Sequence, residues 1–246
     1  MWTGRAIVHV VARRADQERR PYPADSVDPQ AFRRDPWPLV GVVCAVAFLL
    51  VAWVVNRSSD LAFDGVTAAA IRGLPIPVGA WAAITALGGW AVLVGAAFAA
   101  TALGAGRIRL ALIIALIVIG ASLFVDQVKV FVERPRPPGE PLVPAAGYSF
   151  PSGHTLNSTV AFGLAAVVAW RSPLRPAWRR IALVAGLAVP FLVGLSRIAL
   201  GVHYPSDVLA GWLAGLAFVA LGAVLVAWAG AVDRDHWPGR RSVRSG

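Results

Sequence analysis

Cysteine is almost absent from this 246-residue chain: Cys44 is the only one, and it sits inside an apolar run. That excludes an intrachain disulfide and a cysteine-based metal cluster. Charge is scarce as well, at 15% of residues, against about 25% in a soluble chain. Hydrophobic residues make up 57%, and the mean hydropathy is +0.65. Such a chain lacks the polar surface to cover a water-facing globule. This argues against a soluble enzyme, a disordered polar protein and a disulfide-stapled scaffold. Lysine is reduced to a single residue, Lys129, among 23 basic side chains. No internal repeat recurs at a fixed period.

What the chain does have is long uncharged runs. A hydrocarbon core of roughly 30 Å takes about 20 apolar residues in a helix. Six runs fit: Trp37–Val55, Val78–Gly104, Leu110–Val125 continuing to Phe131, Thr155–Trp170, Ile181–Leu195 extended through Ala199, and Val208–Val232. The expected architecture is therefore all-α, a bundle of six transmembrane helices. Residues 1–36 read as a polar cytoplasmic tail, 37–232 as the six-span domain, and 233–246 as a basic cytoplasmic tail. Ala6–Ala12 is too short for a signal-peptide core. Asp60–Gly73 reads as a short interfacial helix, ended by Pro75 and Pro77.

The net charge of +10 suits nucleic acid in principle, but its distribution suits a membrane. With the N-terminus in the cytoplasm, both tails and the second and fourth loops are inside and hold 17 basic residues. The outside holds six: Arg57, Arg72, Lys129, Arg134, Arg136 and Arg197. This is the positive-inside asymmetry. No nucleic-acid partner is needed to explain the charge.

The unusual side chains collect on the expected outer side, in three clusters. Asp126, Lys129, Glu133, Arg134, Pro135, Arg136 and Pro137 close the third span. A lone lysine among arginines supplies a compact point charge in place of a planar fork. Tyr148-Ser149-Phe150-Pro151-Ser152-Gly153-His154 opens the fourth span. Backbone N–H groups at a helix start, with a hydroxyl and an imidazole, suit an anion. The same Ser152-Gly153 pair would also serve as a plain N-cap. Ser196-Arg197 and His203-Tyr204-Pro205-Ser206-Asp207 precede the sixth span. Placed four apart in a first helical turn, His203 and Asp207 share a face. The carboxylate can then accept Nδ1–H, fix the tautomer and leave Nε2 free. Of four histidines, only His154 and His203 lie outside the tails.

Lys129, Arg136 and Arg197, with helix-start N–H groups, would hold a phosphate and its developing charge. One histidine could attack phosphorus while the other protonates the leaving oxygen. No Asp, Glu or His cluster has the spacing of a divalent-metal site, so fixed cations stand where many phosphatases use Mg²⁺.

Lys129, six residues, Arg136-Pro137, then Pro151-Ser152-Gly153-His154, then Ser196-Arg197, five residues, His203, three residues and Asp207 together resemble the type 2 phosphatidic acid phosphatase (PAP2) superfamily. That superfamily also holds vanadium haloperoxidases and bacterial undecaprenyl-pyrophosphate phosphatases. The resemblance implies a bundle of PAP2/haloperoxidase type and a metal-independent hydrolase without cofactor. It implies that His203 is the nucleophile forming a phosphohistidine and that Asp207 orients it. His154 would be the general acid. Lys129, Arg136, Ser152, Gly153 and Arg197 would bind the phosphate oxygens. The short link from Arg136 to Ser152 leaves no room for a large cap, which favours an amphiphilic substrate. The expected activity is hydrolysis of a lipid phosphate or polyprenyl pyrophosphate at the extracytoplasmic face. A vanadium haloperoxidase fits six apolar spans poorly. A non-catalytic lipid-binding or transport protein of the same fold should have lost a histidine or cation, and none is missing.

Overall fold

The computed structural model describes residues 35–58, 61–91, 94–95, 97–98, 107–172 and 174–235. Among them are seven helices and no strand: α1 Trp37–Arg57, α2 Ala62–Arg72, α3 Val78–Gly89, α4 Ile108–Val132, α5 Gly153–Arg171, α6 Pro176–Ala199 and α7 Pro205–Asp235. The N-terminal tail read from the sequence lies almost wholly outside the described residues. So does the basic C-terminal tail, apart from the end of α7.

Local chemistry sets the helix ends. Arg57 closes α1 at the negative end of its dipole, with its guanidinium 5.4 Å from the Trp53 ring centre. Helix α2 carries Asp64 in its first turn and Arg72 in its last, each complementing the dipole, and Pro75 and Pro77 follow. Helix α4 stops at Glu133, which adopts a left-handed conformation (φ 50°) with its N–H donating to the Lys129 carbonyl at 2.9 Å. Pro135 bars continuation. Pro176 and Pro205 occupy the first positions of α6 and α7, where the missing N–H costs nothing.

Helix α5 is central, packing against α4, α6 and α7, while α7 also packs on α1 and α4. The main core joins Phe48 of α1, Ile117 and Val125 of α4, Leu156 and Leu164 of α5, Ala210 and Ala214 of α7, and Phe150. Without a hydrophobic drive between helices in lipid, close approach depends on small residues. Gly211 of α7 is one: a Cβ there would stand 2.9 Å from the Ser152 carbonyl oxygen and 3.0 Å from Thr155 Cβ.

Among the described residues, four helices are long and apolar enough to cross a membrane: α1, α4, α6 and the Pro205–Ala229 part of α7. The chain is thus a multi-pass membrane protein, but six such helices were expected. Helix α5 spans 19 residues, and its first two turns carry His154, Thr155, Asn157, Ser158 and Thr159, which lower its apolarity. The expected 78–104 span is broken: α3 ends after twelve residues at Gly88-Gly89, with Trp90 as its C-cap. Two adjacent glycines weaken a helix at that point. Helix α2 lies where a short helix was expected.

Candidate active site

Three chain segments are laced together at one end of the bundle. Ser149 N–H donates to the Arg134 carbonyl at 2.8 Å, and Ser152 N–H to the Asp207 carbonyl at 3.1 Å. The Arg197 carbonyl accepts the N–H groups of Val202 and His203 at 3.2 and 3.3 Å. The loop after α4, the start of α5, the end of α6 and the start of α7 therefore share one frame.

His203 is buried in the loop before α7, not within its first turn as the spacing suggested. Tyr204 caps α7, and Asp207, three residues on, reaches back so that its Oδ2 accepts the Tyr204 N–H at 2.9 Å. The cap and the His203 contact thus share one carboxylate oxygen: His203 Nδ1 lies 3.4 Å from Asp207 Oδ2. Ser149 sits between them. Its hydroxyl donates to Asp207 Oδ2 at 2.5 Å, and its oxygen lies 3.4 Å from His203 Nδ1. On the other side of the ring, Arg136 Nη1 is 3.4 Å from Nε2. Acceptors at Nδ1 and a donor at Nε2 fix one tautomer, with the proton on Nδ1 and a lone pair on Nε2. Burial pushes the His203 imidazole down to about 4, against the opposing pull of Asp207.

Arg136 is held more tightly than a phosphate ligand need be. It donates to the carbonyls of Gly147 (3.0 Å), Val202 (2.7 Å), Ala146 (2.7 Å) and Tyr148 (3.5 Å), besides facing His203. All five guanidinium N–H groups have a protein acceptor. The donor facing Nε2 is the one that an incoming group on that nitrogen would meet. Arg197, also buried, donates from Nη1 to Thr85 Oγ1 of α3 at 2.8 Å, while its Nε has no hydrogen-bond partner.

His154, second residue of α5, is half-buried against the glycines that end α3. A Cβ on Gly88 would stand 3.0 Å from His154 Cβ, and one on Gly89 would stand 3.5 Å from Nε2. The charges of Arg197, His203, Lys129 and Arg136 all act on this imidazole. Half-buried Lys129, in the last turn of α4, likewise lies within the fields of Arg136, Arg197 and Asp207. Ser152 is fully buried, but its hydroxyl pairs with Thr155 Oγ1 at 2.9 Å and makes no capping bond to the helix backbone. Gly153 opens α5, and a Cβ on it would stand 3.2 Å from Val125. All eight residues singled out in the sequence (Lys129, Arg136, Ser152, Gly153, His154, Arg197, His203, Asp207) therefore gather at this end of the bundle.

Others were missed as site residues. Arg134 was grouped with the first cluster only as a charge. It is buried, donating from Nη1 to Asp207 Oδ1 (2.6 Å) and Ser206 Oγ (2.7 Å), and from Nη2 to Asp64 Oδ2 (2.8 Å). Its guanidinium lies 4.0 Å from the centre of the Tyr204 ring. Asp64 had one signal: it is the only acid between Asp60 and Asp126. Thr85 and Ser149 carried none, since neither a lone threonine in an apolar run nor one more serine in a loop stands out.

The family described as PAP2 superfamily matches residues 107–231. Phosphatidylglycerophosphatase B of Bacillus subtilis is 34% identical over 106 residues, covering 42% of this chain and 52% of that protein. Lipid A 1-phosphatase of Rhizobium etli is 37% identical over 97 residues, 38% of each chain. Undecaprenyl-diphosphatase of Sulfolobus acidocaldarius is 41% identical over 68 residues, 28% of this chain and 29% of that one. The matched stretch thus spans about half the length of the first relative and less of the others. The crystal structure of a transmembrane PAP2 type phosphatidylglycerolphosphate phosphatase from Bacillus subtilis aligns with a TM-score of 0.62 at 26% identity. That alignment covers 81% of this chain and 98% of the other.

Proposed function

This chain belongs to the PAP2 superfamily, and from that premise we propose that it is a membrane phosphatase acting on a lipid phosphate or polyprenyl pyrophosphate through a phosphohistidine on His203. The observation that carries the reading is the fixed tautomer of His203, whose Nε2 lone pair stands beside Arg136 within a ring of cations. Nε2 attacks phosphorus, the bond to the leaving oxygen breaks, and His154 protonates that oxygen. Nδ1–H remains directed at Asp207 and Ser149, so the ring's new positive charge faces a carboxylate. Water then attacks the phosphohistidine, giving its proton to His154. Inorganic phosphate leaves, and Nε2 recovers its lone pair. Lys129, Arg197 and the backbone of Ser152-Gly153 hold the phosphate oxygens. Arg136 turns its His203-facing donor to the transferred group. The partnerless Nε of Arg197 is a ready donor for one of those oxygens.

The names of the relatives, each a phosphatase of a lipid or polyprenyl substrate, support that substrate class. So does the site's position at the ends of apolar helices, where a headgroup can enter while its tail stays in lipid. Completion of the bundle by α5 and by the region begun by α3 gives six spans. The arginine distribution supports a site on the extracytoplasmic face with both tails in the cytoplasm.

The test is phosphate release by the purified full-length protein from phosphatidate, phosphatidylglycerol phosphate and undecaprenyl pyrophosphate. His203→Ala should cut the rate about a thousandfold or more. Activity should survive EDTA and be inhibited by vanadate. Full activity in His203→Ala, or loss of activity on chelation, would overturn the reading.

A further inference from the structure

Asp64 stands apart from the matched family region, 70 residues before Arg134 and 142 before Ser206, yet it is buried against both. Its Oδ1 accepts the Ser206 N–H at 2.7 Å. Its Oδ2 accepts the Ser206 hydroxyl at 2.7 Å and Arg134 Nη2 at 2.8 Å. Arg134 bridges it to the outer oxygen of Asp207, whose inner oxygen serves Ser149, Tyr204 and His203. A buried chain of alternating sign results: Asp64, Arg134, Asp207, then the imidazole. Buried charge of this kind persists only when each member is paired and hydrogen-bonded.

We propose that Asp64 is a positioning residue for the Asp207–His203 pair, acting through Arg134 to set both the aim and the effective charge of the Asp207 carboxylate. The inference rests on His203 being the nucleophile. Its physical content is a charge balance. Arg134 draws on Asp207; Asp64 draws Arg134 the other way and offsets its charge. Asp207 therefore keeps enough negative field to stabilise the positive ring formed when Nε2 bonds to phosphorus. Ser206 locks the arrangement to the first turn of α7, so α2 fixes the register of the carboxylate as well as its field.

Three variants separate this from mere structural support, because the charge balance predicts opposite signs. The other charged or titratable groups facing His203 (Arg136 from the loop after α4, Arg197 from α6 and His154 from α5) are unchanged in all three. Asp64→Asn leaves Arg134 pulling on Asp207 unopposed. The rate of phosphohistidine formation should fall about tenfold to a hundredfold with KM little changed. The His203 titration should move down by roughly half to one pH unit. Arg134→Gln should move it up. The double variant Asp64→Asn/Arg134→Gln removes one charge of each sign, leaves Asp207 its bonds to Ser149, Tyr204 and His203, and should return the titration close to the parent.

The measurements are the single-turnover rate of the full-length protein in phospholipid vesicles containing phosphatidylglycerol phosphate, and the His203 titration from its imidazole NMR signals. An inactive parent overturns the proposed hydrolase, while the titration still decides the coupling. An active parent with Asp64→Asn unchanged in rate overturns the positioning role. Titrations that shift in the same direction in both single variants, or not at all, overturn it too.

Discussion

The imidazole of His203 has its two nitrogens specified by different parts of the chain. Asp207 and Ser149 hold Nδ1, and Arg136 faces Nε2. Its burial also has a consequence for pH. A group near 6.5 when unfolded and about 4 when folded binds its proton less readily in the native state. Stability from this residue is therefore intact above about pH 6.5 and falls as the pH drops toward 4. The neutral nucleophile persists over the same interval. The His203 imidazole NMR signals should stay those of the neutral ring from pH 7 to about 5 and change below, while thermal unfolding temperature already drops between pH 6.5 and 5. Signals that titrate near pH 6.5 would show that His203 behaves as an ordinary exposed histidine. Thr85 offers a second residue-scale test. Thr85→Val removes the acceptor holding Arg197 and leaves a buried guanidinium short of a partner. Vanadate affinity should weaken about tenfold; unchanged inhibition would mean that Thr85 does not position Arg197. The sequence exposed Lys129, Arg136, His154, Arg197, His203 and Asp207 because rare residue types stand in short, spaced groups. It hid Ser149, Thr85 and Asp64, whose partners lie 54 to 142 residues away and whose types are common in loops and helices.

Helices are where the reading from composition was strongest, and its misses have local causes. Apolar runs located α1, α4, α6 and α7 because a helix in lipid must be apolar on nearly every side. Helix α5 carries polar groups at its start because that end enters the site, so length and hydropathy disagree there. The glycine pair that ends α3 faces His154, which makes the break in the expected span a feature of the site. Hydropathy alone cannot show such a break, since glycine is nearly neutral on that measure. At the start of α5 the close approach of α7 depends on Gly211, where an added Cβ would stand 2.9 Å from the Ser152 carbonyl oxygen. Backbone cannot yield as a flexible side chain does, so Gly211→Ala must push the start of α5 away from α7. Overpacking of this kind costs about 1–3 kcal/mol. The variant should melt several degrees lower in detergent. It should also lose turnover beyond its loss of folded protein, because Ser152, Gly153 and His154 move together. A variant that melts lower with full specific activity would show that the helix start tolerates displacement.

For the whole molecule, the arginines that fix orientation and the cations that fill the site obey opposite rules. Seventeen basic residues lie in segments that the proposed topology puts in the cytoplasm, where they would meet anionic lipid. The six assigned to the other face include Lys129, Arg134, Arg136 and Arg197, all at the site. Arg57 packs on Trp53, and Arg72 donates to the Ile198 carbonyl at 3.3 Å. These cations are held by the fold, so in the proposed topology they stand on the depleted face for the site and not for orientation. The single native cysteine makes orientation directly testable. In a Cys44→Ser background, Glu140→Cys places a thiol in the exposed loop between α4 and α5, and Arg175→Cys one between α5 and α6. An impermeant maleimide added to intact cells should label the first and spare the second until the membrane is opened. The reverse pattern would put the phosphate site in the cytoplasm and leave the arginine asymmetry without a role in topology. Labelling of both positions in intact cells would mean that α5 does not cross the bilayer, reducing the bundle below six spans.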